Sequence, residues 1–277
     1  MLRGLAEFVM AGRKQAVLAI VLLGLPPLVN LLTPALVAMV GMRKGMTAGS
    51  AMLLWALLPA GVWLLLWGNS FPLLLLFGVF VLAAVLRATE SWQNVLLAGI
   101  GVGAMFEFYL RAQPAMLDLV FEQLELYVRA NNLEDVQLDD VREVMTTFLA
   151  AFYMALSVAL LMLGRSMQAM LYNQGGFQEE FHALRIGQTT TLVLVGMILL
   201  VNIVEGLPEA WIFYLAAPFA FAGLALAHAL VARKSASVFW LVAMYMLLIF
   251  PTMMYLLILV AIVDSWYDFR ARVPKSS

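Results

Sequence analysis

Long apolar runs without charge, separated by short polar breaks, dominate this chain. Residues 45–86 carry no charged side chain, and a single turn, Gly68-Asn69-Ser70 followed by Phe71-Pro72, divides them. A membrane-crossing helix needs about 20 apolar residues, so this run predicts two transmembrane helices joined by a tight loop. Similar runs recur to the C-terminus. The pattern therefore predicts an all-α, polytopic helical membrane protein.

We expect eight or nine membrane segments. In chain order, the predicted segments are 15–24, 28–42, 47–67, 71–87, 93–111, 143–164, 187–204, 210–231 and 236–263. Pro26 and Pro27 separate the first two, since proline breaks a helix interior. These two segments form either a hairpin or one kinked crossing. Pro251 leaves the same two alternatives open for 236–263.

The distribution of Lys and Arg favours the hairpin, because it returns Arg43 and Lys44 to the side of Arg13 and Lys14. Cytoplasmic loops carry an excess of basic residues. The basic residues placed in the cytoplasm are then Arg3, Arg13, Lys14, Arg43, Lys44, Arg87, Arg165, Arg185, Arg233 and Lys234. Those left on the opposite side are Arg111, Arg129, Arg142, Arg270, Arg272 and Lys275. We expect a multi-pass protein of the cell inner (cytoplasmic) membrane with a cytoplasmic N-terminus.

We interpret 1–277 as one integral membrane domain with three segments outside the bilayer. The spacing of apolar residues in 1–14 predicts a short helix lying at the membrane surface. Residues 114–143 are acidic and begin as an amphipathic helix, which indicates an outer lid, a docking surface or a solvated connector. Residues 165–186 form an inner loop that contains an amphipathic helix.

Composition agrees with this class and narrows the chemistry. Hydrophobic residues make up 64% of the chain and charged residues 12%, about half the charged share of soluble domains. The net charge of −1 gives no reason to expect a nucleic-acid partner. The absence of cysteine excludes disulfides and thiol chemistry. With two histidines and no GxSxG, HExxH or Walker motif, an enzyme is disfavoured, and we expect no cofactor.

Glu107 is the most informative charge, because ionisable groups inside membrane helices are costly and tend to face a cavity or a partner. Arg111 follows one helical turn later, a spacing that allows pairing. The candidate ligand-binding residues are Glu107, Arg111 and Asn202; the alternative for the first two is an ion pair at the membrane interface. The small residues before Glu107 that allow close helix packing are Gly99, Gly101 and Gly103.

The inner loop offers a second candidate surface, for a protein partner. It contains a turn followed by an amphipathic helix beside the bilayer. Its candidate residues are Asn173, Gly175, Gly176, Phe177, Glu179, Glu180, Phe181, His182 and Arg185. Glu179-x-x-His182 matches half of a di-iron motif, but no Glu precedes His228, the second histidine, by three residues. We therefore expect no metal.

The stretch LYNQGGFQEEFHAL at 171–184 also carries a family resemblance, together with AEFVMAGRKQAVLAIVLLGLPPL at 6–28 and RKG at 43–45. With these stretches the chain resembles the YybS-like family of bacterial multi-pass membrane proteins, in which proline replaces Gln174. That family has been grouped with substrate-capture subunits of energy-coupling-factor vitamin transporters. The resemblance implies a helical core that holds a small molecule and works with a separate energising module. Capture subunits usually have six helices, fewer than we expect here.

Three functions remain open. The preferred one is a transport-related protein that captures a small molecule and has no ATPase of its own. The alternative is a membrane-embedded scaffold or assembly partner that binds another membrane protein through the inner loop or the acidic outer segment. An intramembrane enzyme or a lipid-handling protein is the third.

Overall fold

The computed structural model describes residues 1–113, 115–130 and 138–273, in which helices are the only regular secondary structure. The α-helices are α1 (Leu2–Ala11), α2 (Arg13–Gly24), α3 (Leu32–Lys44), α4 (Met46–Trp67), α5 (Phe71–Thr89), α6 (Trp92–Ala112), α7 (Ala115–Ala130), α8 (Leu138–Tyr172), α9 (Gly176–Ala183), α10 (Gln188–Ile203), α11 (Ile212–Arg233), α12 (Phe239–Leu247), α13 (Pro251–Tyr267) and α14 (Phe269–Arg272). The chain divides into two compact units, an N-terminal unit (Met1–Gln174) and a C-terminal unit (Gly175–Ser277).

Five helices of the described residues are long and apolar enough to cross a membrane. They are Met46–Trp67, Phe71–Thr89, Trp92–Ala112, Val141–Tyr172 and Glu209–Arg233. Two further pairs pass the same test together but are bent, α9 with α10 by 58° and α12 with α13 by 117°. The all-helical membrane class predicted from the sequence is confirmed, with five spans, or seven when each bent pair counts as one.

The prediction of eight or nine membrane segments is therefore wrong. Segments 15–24 and 28–42 correspond to α2 and α3, which have 12 and 13 residues. At 1.5 Å per residue each helix is about 20 Å long, shorter than the roughly 30 Å hydrocarbon core. Counting apolar residues overestimated the spans, because an apolar run does not show where a helix ends.

Helices α2 and α3 form the hairpin that the basic residues favoured. Pro26 and Pro27 follow α2 directly, and Leu28 adopts a positive φ of 64°. The Val29 N–H donates to the Pro27 carbonyl at 2.8 Å, which closes a three-residue turn around Leu28. At the far end, Lys44 Nζ donates to the Met10 carbonyl at 3.4 Å, so α3 returns to the level at which α2 begins.

The core of the N-terminal unit surrounds α3, whose residues 33–42 are all buried. Glycines make this burial possible, because a side chain would separate the helices. A Cβ added to Gly164 of α8 would lie 2.5 Å from the Ala35 carbonyl oxygen. A Cβ on Gly49 of α4 would lie 2.8 Å from the Gly41 Cα. A helix covered by protein on every side is typical of a core element.

The acidic segment 114–143 contributes α7 and the start of α8. Arg142 pairs with Asp118 and lies over the Phe121 ring, with 4.7 Å from Cζ to the ring centroid. These contacts hold α7 against the beginning of α8. The remainder of the predicted segment, Pro114 and 131–137, lies outside the described residues.

In the C-terminal unit, α11 packs against α9, α10 and α13. A Cβ on Gly223 of α11 would lie 2.8 Å from the Leu257 carbonyl oxygen of α13. Helices α10 and α13 are joined by a buried hydrogen bond between the hydroxyls of Thr191 and Ser265 at 2.8 Å. The end of α13 is thus fixed beside the beginning of α10, where the charged residues of this unit gather.

Candidate functional site

Glu107 lies at the contact between α6 and α8 and is only 6% exposed. Its Oε1 accepts hydrogen bonds from Arg111 Nη2 at 2.6 Å and Nε at 2.9 Å, as the one-turn spacing predicts. Thr147 Oγ1 of α8 donates to the same oxygen at 3.0 Å. Arg111 also approaches Glu143 at 3.5 Å. The carboxylate is thus held by protein groups, with which a ligand would have to compete.

The remaining residues predicted alongside Glu107 occupy varied environments. A Cβ on Gly99 would meet Val158 of α8 at 3.6 Å, an ordinary contact distance, whereas Gly101 has nothing within 4 Å. Gly103 is buried. Asn202 belongs to the C-terminal unit, where its exposed side chain donates to the Ile198 carbonyl one turn back.

A buried ion pair closes the C-terminal end of α13. Arg270 is 8% exposed and Asp264 is 2% exposed, and their closest atoms are 2.5 Å apart. The other Asp264 oxygen accepts the Phe269 N–H at 2.8 Å, which shapes the turn between α13 and α14. Arg270 Nη2 donates to the Leu184 carbonyl at 2.8 Å. One arginine thus joins the chain after α13 to the chain after α9.

Arg185, from the predicted inner loop, makes a parallel link. It donates to Asp268 Oδ2 at 2.8 Å and to the Ser265 carbonyl at 2.9 Å, while Asp268 caps α14 through the Ala271 N–H. Burial lowers the pKa of the Arg270 guanidinium; Asp264 opposes this effect, and the charge of Arg185 adds to it. An arginine stays protonated in proteins at neutral pH, so two cations are held here side by side.

A pocket of about 450 Å³ opens beside Arg270. Helix α9, the C-terminal end of α11, the loop after α11 and α14 each contribute to its wall. Its polar lining side chains are Glu179, His182, Arg233, Ser235 and Arg270. Small-molecule sites commonly measure 300–1,000 Å³ and carry a few convergent polar groups. This pocket has both properties and is the candidate functional site.

Helix α9 presents its aromatic residues to α11. The rings of Phe177 and Phe181 stack with centroids 6.0 Å apart, and Phe181 meets the His228 ring edge-on at 5.5 Å. His228 Nε2 lies 2.9 Å from the Tyr245 hydroxyl of α12. The aromatic side of α9 is therefore used within the C-terminal unit.

The other residues of the predicted partner surface lie around α9. Gly175 takes φ +87° before the helix, and Gly176 is buried. Glu179 is exposed and Glu180 is half-buried. Asn173 is exposed and belongs to the N-terminal unit, where its N–H donates to the Ala169 carbonyl. Of the predicted surface, Glu179 and His182 line the pocket.

The sequence pattern does not single out Arg270 or Asp264, and it predicts Arg270 on the side opposite to Arg185 and Arg233. The bond from Arg270 to Leu184 and the shared pocket wall place these residues at one end of the C-terminal unit. The reason is the 117° bend between α12 and α13, which returns the chain to the end where α11 finishes. The signal in the sequence was Pro251, which left this alternative open.

Fold and site together define a polytopic helical membrane protein with a polar, arginine-containing pocket in its C-terminal unit. No family model, curated protein or solved structure matches the chain. The similarity to the YybS-like family therefore stays a prediction. Within the described ranges, no group of three or more His, Asp or Glu side chains could hold a metal ion.

Proposed function

We propose that this is a transport-related membrane protein that captures a small molecule in the C-terminal pocket and depends on a separate energising module. The pocket carries the proposal: about 450 Å³ of space, with polar side chains from α9, α11, α14 and the loop after α11 directed to one place. A volume of that size suits a small organic molecule.

Broken helices in the C-terminal unit support a transport role. Substrate sites of membrane transporters are often built around discontinuous helices. Here α12 and α13 are separated at 248–250 by the 117° bend, and the contact between His228 and Tyr245 links α12 to α11. Movement of α12 would therefore be transmitted to the helix that forms one wall of the pocket.

The scaffold alternative receives less support from α9. Phe177 and Phe181, the side chains best suited to anchor a protein partner, pack within the C-terminal unit. Aromatic residues buried at the interface centre usually supply most of the binding energy. The exposed residues of the helix are Gln178, Glu179 and Ala183, which leaves a small and mostly polar surface for a partner.

We propose that the protein lies in the cell inner membrane with its N-terminus in the cytoplasm. In the N-terminal unit, Lys44 contacts Met10, Arg43 lies 4.0 Å from the centroid of the Tyr172 ring, and Arg87 donates to the Met42 carbonyl. These basic residues thus gather at one end of the unit. The positive-inside rule assigns that end to the cytoplasm.

Native mass spectrometry of protein extracted gently from its own membrane tests the capture proposal. We expect a reproducible small-molecule adduct on the natural protein and its loss in Ala232→Trp, because the indole would fill the pocket. Ala227→Trp adds the same bulk to α11 at a position outside the pocket lining and should keep the adduct. An adduct that survives Ala232→Trp, or no adduct on the natural protein, would contradict the proposal.

A further inference from the structure

We infer that a group of exposed basic side chains at one end of the N-terminal unit binds an anionic phospholipid through its phosphate. The members of this basic cluster are Arg13, Lys14, Arg43, Lys44 and Arg87, all of them exposed. The inference concerns the N-terminal unit alone. It does not depend on capture of a small molecule in the C-terminal pocket.

The C-terminal end of α3 holds the basic cluster together. Lys44 Nζ, at the end of α3, donates to the Met10 carbonyl at 3.4 Å. Met10 shortly precedes Arg13, the first residue of α2, so the start of α2 lies at the same level. Arg87, in the last turn of α5, donates to the Met42 carbonyl of α3. Three helix ends therefore bring basic side chains to one place.

The contacts that hold the basic cluster leave its charge unneutralised. Lys44 and Arg87 donate to carbonyl groups, and the Arg43 guanidinium lies over the Tyr172 ring with 4.0 Å from Cζ to the ring centroid. A carbonyl or a ring face can hold a cation but carries no net charge. Within the described part of the chain, no member of the cluster forms an ion pair with Asp or Glu.

The carboxylates near this end are too few to balance the basic cluster. Glu7 pairs with Arg3 at 3.0 Å, so that pair adds no net charge. Glu90, exposed directly after α5, offsets one of the five cations. The other described carboxylates of the N-terminal unit lie within 107–143. Glu143 is roughly 40 Å along α8 from Tyr172 at 1.5 Å per residue, so a clear excess of positive charge remains.

The position of the basic cluster identifies the anion as a phospholipid headgroup. Helix α4 begins at Met46, shortly after Lys44, and α5 and α8 end at Thr89 and Tyr172. These helix ends are also the ends of three candidate membrane spans, where phospholipid headgroups lie. Basic residues beside a membrane span attract anionic lipids, and a phosphate accepts charge-assisted hydrogen bonds from Arg and Lys.

Native mass spectrometry of the purified protein, titrated with dioleoylphosphatidylglycerol or dioleoylphosphatidylcholine, tests this inference. The two lipids share their acyl chains and differ in the charge of the headgroup. We expect the natural protein to bind phosphatidylglycerol several-fold more tightly. Arg43→Gln should weaken phosphatidylglycerol binding about fivefold, the contribution of one basic residue near a charged membrane surface, and should leave phosphatidylcholine binding unchanged.

Arg272→Gln is the matched control. It removes the same charge from an exposed arginine that also lies over a tyrosine ring, with 4.1 Å from Cζ to the centroid of Tyr267. Arg272 belongs to the C-terminal unit, where Arg185 and Arg270 are paired with carboxylates. Arg272→Gln should therefore bind phosphatidylglycerol as tightly as the natural protein.

Two results of the titration would overturn the inference: equal affinity for the two lipids, or equal loss of phosphatidylglycerol binding in Arg43→Gln and Arg272→Gln. Polyglutamate added to the natural protein tests an acidic polypeptide as the occupant instead. If polyglutamate binds as tightly as phosphatidylglycerol and displaces it, the assignment to a lipid is wrong.

Arg13→Gln gives an answer even if Arg43→Gln fails to fold. Among the described residues the Arg13 side chain has no hydrogen bond or ion pair, so the substitution removes charge without removing a structural contact. We expect the same fivefold loss of phosphatidylglycerol binding, and unchanged binding in this variant would overturn the inference.

Discussion

Glu107 illustrates how one charged residue is accommodated inside a membrane protein. A buried carboxylate is destabilising unless it is paired and hydrogen-bonded. Arg111 supplies the opposite charge from the same helix, and Thr147 supplies a hydroxyl from α8. Because these partners come from two helices, the cluster fixes how α6 and α8 face each other.

The contribution of Thr147 can be measured with Thr147→Val, which keeps the shape of the side chain and removes the donor. We expect the free energy of unfolding to fall by about 1–2 kcal/mol, the upper range for hydrogen bonds between membrane helices, because the acceptor is charged. Thr146→Val is the matched control, since the Thr146 hydroxyl donates to the Arg142 carbonyl of its own helix. Thermal or denaturant unfolding of the purified proteins provides the measurement. Equal effects of the two substitutions would contradict the role assigned to Thr147.

How far the sequence predicts these contacts depends on their separation along the chain. Glu107 and Arg111 are one turn apart, so helix geometry alone predicts their pairing. Thr147 is 40 residues from Glu107, and Leu184 is 86 residues from Arg270. Those two contacts depend on which helix faces pack together, and the local pattern around each residue carries no information about that.

Close packing between helices likewise depends on contacts between residues that are distant in the sequence. The sequence drew attention to Gly99, Gly101 and Gly103 because they recur on one short stretch. The structure has much tighter approaches at Gly164 and Gly223, where an added Cβ would come within 2.8 Å of a backbone oxygen. Neither of these glycines belongs to a repeated motif. An isolated glycine becomes critical only through the helix that packs against it.

Gly164→Ala tests the packing of α8 on α3. The new Cβ would lie 2.5 Å from the Ala35 carbonyl oxygen, so one helix must move. Overpacking of this kind typically costs about 1–3 kcal/mol, which should appear as a lower unfolding temperature in detergent. Gly101→Ala is the control, because its Cβ meets nothing within 4 Å and alanine favours helix by about 1 kcal/mol. An unchanged unfolding temperature in Gly164→Ala would show that the helices are not this close.

Hydropathy predicts where the apolar helices lie but does not show where a helix breaks or ends. The predicted ends of the spans α4, α5, α6 and α11 lie within a few residues of the observed helix ends, because each of these helices is long and apolar. The exception is α8, predicted to leave the membrane near residue 164 and in fact helical to Tyr172. Arg165 interrupts the apolar run but does not interrupt the helix. Charge thus indicates where the bilayer ends more directly than where a helix ends.

The arginines of the C-terminal unit lie at one end of that unit, whereas the sequence suggested that they lie on both sides of the membrane. The pattern of apolar runs predicts Arg270 and Arg272 among the basic residues opposite the cytoplasm, which weakens the positive-inside bias. The bend between α12 and α13 brings Arg270 to the same end of the C-terminal unit as Arg185 and Arg233. Moving these arginines to the cytoplasmic group strengthens the bias. With the proposed cytoplasmic N-terminus, the pocket of the C-terminal unit would lie on the cytoplasmic side.

This orientation predicts which residues a membrane-impermeant maleimide will label. The chain has no cysteine, so Lys14→Cys, Gln113→Cys, Glu205→Cys and Arg272→Cys each introduce one thiol, and all four positions are exposed. In inside-out membrane vesicles we expect labelling of Lys14→Cys and Arg272→Cys. In right-side-out vesicles we expect labelling of the other two. Each thiol should react fully after detergent is added, which controls for reactivity.

The two pairs of positions test the two units separately. Lys14 and Gln113 report the N-terminal unit, in which basic residues gather at one end. Glu205 and Arg272 report the C-terminal unit, in which α11 and the bent pair of α12 and α13 lie between them. If α12 and α13 formed one straight crossing, Glu205→Cys and Arg272→Cys would be labelled from the same side. That result would contradict the re-entrant arrangement, whereas labelling of Arg272→Cys in inside-out vesicles and of Glu205→Cys in right-side-out vesicles would support it and would place the pocket end of the C-terminal unit in the cytoplasm.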